Sequence, residues 1–152
     1  MSTLPQPPAP VSPVAAPPPR DTRPGELSPP WRIVFVVGWM GAILGFASVW
    51  KSSRTMGLST WWLGPAAEPR SIVIQMLPFA VPVLLVIAGS RHARFLPWWG
   101  VLGSLALGGI GAADLGRFQR LGAVELAIAV AVLLVSIASF AGLLQERSEP
   151  EN

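Results

Sequence analysis

Few side chains in this 152-residue chain could carry chemistry. There is no cysteine, no tyrosine and one histidine, His92. Disulfides, thiolate zinc sites, iron–sulfur clusters, thiol nucleophiles and bis-histidine haem ligation within one chain are thereby excluded. What remains is a small polar set. Glu125 is the one charge in the apolar run Leu121 to Leu144, and Gln75 holds a matching place near the start of another run. Asp114, Arg117 and Arg120 stand between the last two runs. An ionisable group inside a membrane span is a functional hypothesis in its own right. Here it would be a proton or cation site on Glu125, with Gln75 as neutral ligand and an arginine as counter-ion.

A structural reading of the same residues stands beside it. A carboxylate one turn inside a helix N-terminus is favoured by the macrodipole and can pair with Arg117 or Arg120. Asp114 and Arg117 have the i, i+3 spacing of an ordinary helix-surface pair. His92 lies between Arg91 and Arg94 and reads as a solvated loop residue. The motifs H-E-x-x-H, G-x-S-x-G and the Walker phosphate loop are missing from the sequence, so neither an enzyme nor a cofactor is expected.

The elements that must position these groups follow from composition. Hydrophobic residues make up 51% of the chain and charged ones 12%, and the mean hydropathy is +0.52. Soluble domains carry about twice that charge fraction. The apolar residues are gathered into four runs, at about 32–50, 71–90, 95–113 and 121–144. A bilayer core about 30 Å thick needs about 20 helical residues. The runs lack the polar faces of soluble helices and the alternation of barrel strands. The expected fold is all-α, a four-helix transmembrane bundle over residues 31–144.

Both ends differ from this domain. Residues 1–30 hold 11 of the 17 prolines, which fix φ and remove amide donors. This stretch reads as a disordered, proline-rich tail, either a solvated spacer or, through its P-x-x-P steps, a ligand for an aromatic groove. Residues 145–152 form a short polar tail. The first run starts beyond residue 30 without a small-x-small exit, so it is expected to stay as an anchor helix, not a cleaved signal.

Short loops at Arg91–Arg94 and Asp114–Arg120 make consecutive helices antiparallel neighbours. Gln75 and Glu125 then lie at the same end of the bundle, each about 6 Å past its helix start at 1.5 Å per residue. The pI of 11.1 comes from a net charge of only +3, with cations scattered between the apolar runs. That is no nucleic-acid footprint. Six cations on the terminal side face five on the other, so the positive-inside rule barely discriminates. Cytoplasmic termini are preferred because the longer tryptophan-rich loop reads as an outward element.

Small residues at helical spacing mark helix contacts in membranes. Gly38, Gly41 and Gly45 form such a stripe in the first helix, and Gly103, Gly108 and Gly111 in the third. Replacing Gly41 or Gly45 with leucine is expected to disturb association or expression. Pro78 and Pro82 should kink the second helix. Trp61, Trp62, Trp98 and Trp99 are expected as anchors at headgroup level.

Three segments carry a resemblance: Ser59-Thr60-Trp61-Trp62-Leu63-Gly64-Pro65, Gln75-Met76-Leu77-Pro78-Phe79 and Leu96-Pro97-Trp98. Over roughly residues 31–144 the chain resembles small four-span membrane proteins of unknown function from high-GC Gram-positive bacteria. That likeness implies a bacterial plasma-membrane protein and no known activity, cofactor or site. Two functions are open. One is an accessory or scaffold subunit working through helix–helix contacts, in a homo-oligomer or larger complex. The other is a minimal oligomeric transporter or channel built on the carboxylate.

Overall fold

The computed structural model describes residues 24–143. Most of the proline-rich tail and the whole polar C-terminal tail lie outside the described residues. Four helices follow one another: α1 Pro29–Met56, α2 Ile72–Ser90, α3 Leu96–Leu115 and α4 Gln119–Ala138, the last continued by a 3-10 turn Ser139–Gly142. Each is long and apolar enough to cross a membrane.

The exposed surface supports the same conclusion. Leu44 is 67% exposed, Val73 75%, Leu105 61% and Leu134 61%, one such residue on every helix. Apolar exposure on this scale would aggregate in water and is stable in hydrocarbon.

Each helix packs on its chain neighbours and α1 closes against α4, with α3 and α4 most extensively joined. Every helix turns one seam inward. In α1 the seam is Phe35, Trp39, Ala42, Phe46, Val49 and Ser53, alternating steps of four and three as in left-handed bundles. In α2 it is Gln75, Pro78, Pro82, Leu85 and Gly89. Both prolines are buried, and the helix runs through them. The rings of Phe35 and Trp39 cross the bundle to α3, where Gly100 and Gly103 leave room for them.

The element ends depart from the hydropathy pattern. Pro29 and Pro30, expected in the loose tail, open α1 instead. Proline is preorganised for a first helical turn, where its missing N–H costs nothing. The segment before them is tied down as well. Ser28 N–H donates to the Gly142 carbonyl at 2.9 Å, and Phe95 N–H to that of Gly25 at 2.9 Å. At its other end α1 continues past Trp50 to Met56 and stops at Gly57, whose φ of 67° only glycine adopts cheaply.

The glycine stripe of α1 is split by helix rotation. A Cβ on Gly38 would touch Val135 at 2.9 Å, and one on Gly45 would touch Ile128 at 2.8 Å. A Cβ on Gly41 meets nothing within 4 Å. Among the described residues Gly41 therefore packs on no neighbouring helix, because the aromatic seam, not the glycine stripe, takes the inward face. Gly45→Leu is expected to destabilise the monomer by about 1–3 kcal/mol through overpacking. Gly41→Leu should stay within about 0.5 kcal/mol. Unfolding in mixed detergent micelles separates the two; equal losses would contradict this assignment.

Candidate functional site: a buried acid pair under a tryptophan loop

The site begins with the crossing of α3 and α4. A Cβ on Gly122 would lie 2.8 Å from the Leu115 nitrogen, and one on Gly111 would lie 2.9 Å from the Leu126 nitrogen. With hydrogen in place of those methyl groups, the two backbones touch. The contact sets Asp114, in the last turn of α3, beside Glu125, in the second turn of α4. Both residues are 0% exposed. Glu125 is six residues past Gln119, about 9 Å into the helix, because α4 starts before its apolar run.

Among the described residues no arginine pairs with either acid. Asp114 Oδ1 accepts from the Trp61 backbone N–H at 2.8 Å. Glu125 Oε1 accepts from the Trp62 indole Nε1–H at 3.0 Å. Each keeps one buried oxygen, Asp114 Oδ2 and Glu125 Oε2, without a donor among the described residues. Two carboxylates placed side by side inside a bundle repel each other.

The donors come from the α1–α2 connection, which folds in against the helices. Trp62 is fully buried and Trp61 half-buried. Trp62, expected from the sequence as a headgroup anchor, is packed inside the bundle. Its ring sits among Phe46, Trp50 and Phe79, at centroid distances of 6.4, 5.8 and 6.2 Å, edge to face with each. Trp61 Nε1–H donates to the Ile110 carbonyl of α3 at 3.1 Å. Between them the two tryptophans reach all four helices. Trp98 and Trp99 remain exposed at the start of α3.

Local chemistry explains why the loop can enter. Non-helical backbone is tolerated at membrane depth only where protein satisfies its polar groups. Gly64 N–H donates to the Thr60 carbonyl at 3.0 Å and Arg70 N–H to that of Leu63 at 3.1 Å. The Arg54 guanidinium donates to the Leu63 and Gly64 carbonyls at 3.3 Å each. Ser53 Oγ–H donates to the Leu58 carbonyl at 2.6 Å. The extra turns of α1 thus hold the loop that α1 would otherwise end before.

Of the polar residues singled out in the sequence, the structure unites Asp114 and Glu125. Gln75 is buried but donates to the Arg70 carbonyl at 2.5 Å, bracing the loop without entering the acid site. Arg117 and Arg120 are exposed and leave both carboxylates to the loop. His92 is exposed, with φ 58°. Trp61, Trp62, Arg54 and Gly122 are the site residues that sequence reasoning misses. The adjacent indoles before Leu63-Gly64-Pro65 were the available signal, since a turn after two tryptophans can fold them inward as readily as outward. Among the described residues no three His, Asp or Glu side chains gather as a metal set.

The class that this fold defines is a four-span, all-α protein of the multi-pass membrane type. No family model matches the chain, and no curated protein or solved structure is significantly similar to it.

Proposed function

We propose that this protein is an accessory or scaffold subunit of a bacterial plasma membrane, working by helix–helix contact in a homo-oligomer or larger complex. The observation that carries the reading is the complete burial of Asp114 and Glu125 beneath their tryptophan donors. A cargo site must open to one side or the other. This pair is sealed, and Gln75, its proposed co-ligand, is engaged elsewhere. The acid pair then acts as an internal lock that holds the loop on the bundle. The exposed face of α1 around Val37, Met40, Gly41 and Leu44 supplies an apolar surface with an open glycine at its centre, suited to a second helix. The resemblance to small four-span bacterial membrane proteins is part of the same proposal.

Glu125→Gln tests it. The amide keeps an acceptor for the Trp62 N–H and supplies a donor to Asp114, so abundance, stability within about 1 kcal/mol and captured partners should all be retained. A carrier built on the carboxylate would stay folded and lose flux in reconstituted vesicles. Loss of transport with unchanged partners would replace this reading by the second one. The termini are proposed to be cytoplasmic; an externally active enzyme fused to the C-terminus would reverse that orientation.

A further inference from the structure

A groove of about 530 Å³ runs along the outside of the bundle between α1 and α4. Gly45, Ser48 and Val49 line one wall, and Val124 and Ile128 the other, with Arg120 at its end. The short side chain of Ser48 leaves the depression, which ends where Ile128 packs onto Gly45. At its Arg120 end the groove meets a second cleft of about 340 Å³, which shares Leu58, Arg120 and Leu121 and adds Arg117 and Gln119. One space is apolar and as long as several helical turns. The next is cationic and sits where α4 enters the span.

The charge at that end is unbalanced. Arg117 and Arg120 stand at the N-terminus of α4, where the helix dipole is itself positive, and the first turn contains no acidic residue. Asp114 and Glu125 are near in sequence, yet both side chains are buried, and the oxygens they have bonded go to the tryptophan loop rather than to either arginine. An anion is the missing complement. A second protein helix would fill the groove and leave the two arginines unanswered. A free anion would answer the arginines and leave the groove open.

We propose that the joined spaces form a binding site for an anionic phospholipid. One acyl chain lies in the α1–α4 groove, and the headgroup phosphate is held by Arg117 and Arg120. Guanidinium donors match phosphate oxygens in pairs, which gives the site preference over a zwitterionic headgroup whose own cation competes. The site is separate from the acid pair, so it stands whether or not the scaffold reading holds.

The test uses the purified full-length chain in neutral detergent with equal amounts of phosphatidylglycerol and phosphatidylcholine. Retained lipid is read by native mass spectrometry. The parent protein should keep one phosphatidylglycerol with a preference of about tenfold, the scale of a pair of charge-assisted contacts. The double variant Arg117→Gln, Arg120→Gln should bring the preference to about twofold or less, because surface charges are its source. Val124→Phe, at a position already 49% exposed, should fill the groove and lower retention of both lipids without unfolding the bundle. Thermal melts of each variant verify the fold. Equal retention of the two lipids by the parent overturns the proposal, as does an unchanged preference in the double variant. Displacement of the lipid by sn-glycerol 1-phosphate alone reduces the site to an anion cleft and overturns the groove. A dimer mass abolished by Val124→Phe assigns the groove to a second copy instead.

Discussion

Trp62→Ala is expected to be the most damaging side-chain truncation in the tryptophan loop, costing about 3–5 kcal/mol of unfolding free energy. The ring is fully buried and edge-packed on Phe46, Trp50 and Phe79. No local shift of α1 or α2 fills the space it leaves, since both are held by their own seams. The indole N–H is also the donor to Glu125 Oε1. Alanine therefore creates a cavity and strands a buried acceptor at once. Trp62→Phe separates the two effects: most of the ring volume stays and the donor goes, for about 1–3 kcal/mol. Unfolding of the purified protein in mixed detergent micelles measures both. If alanine costs no more than phenylalanine, the ring is not packed as described. If phenylalanine costs nothing, the indole does not hold the carboxylate.

Gly122→Leu should be comparably severe, at about 3 kcal/mol or more, by overpacking against atoms that cannot yield. The nearest atoms to an added Cβ are the Leu115 nitrogen at 2.8 Å, then the Asp114 carbonyl carbon and the Gly111 oxygen at 3.0 Å, all backbone. Relief requires α3 and α4 to move apart, which also parts Asp114 from Glu125. Gly109→Leu is the matched control. It lies on α3 with nothing within 4 Å of its Cβ and should change stability by no more than about 0.5 kcal/mol. The same unfolding midpoints decide it. Equal tolerance at both positions would mean that the helices do not cross at Gly111 and Gly122.

Much of the architecture is written in composition. About 20 apolar residues in a row must satisfy their backbone internally, and a helix is the local way to do so. The four spans and their antiparallel order are therefore legible before any coordinates. So is the gathering of Asp114 and Glu125 at one end of the bundle, because a short loop returns α4 beside the end of α3. Element ends were less legible. The polar turns from Lys51 to Met56 look like loop, yet they continue α1 so that Ser53 and Arg54 can bind the carbonyls of the loop that follows.

What the chain determines by itself, then, is how many helices there are, their solvent and their sequence of turns, because those depend on residues close together along the backbone. Only the packed bundle decides which partner each buried acid takes. Charge alone favours Arg117 and Arg120. The folded protein uses the tryptophan loop instead, a backbone N–H for Asp114 and an indole for Glu125, since these neutral donors enter the core readily whereas a guanidinium would have to shed its water. The rotation of each helix is decided there too. Gly41 and Gly122 look alike in sequence, and one faces open space while the other lies against a neighbouring backbone, because the inward face is chosen by how all four seams interlock.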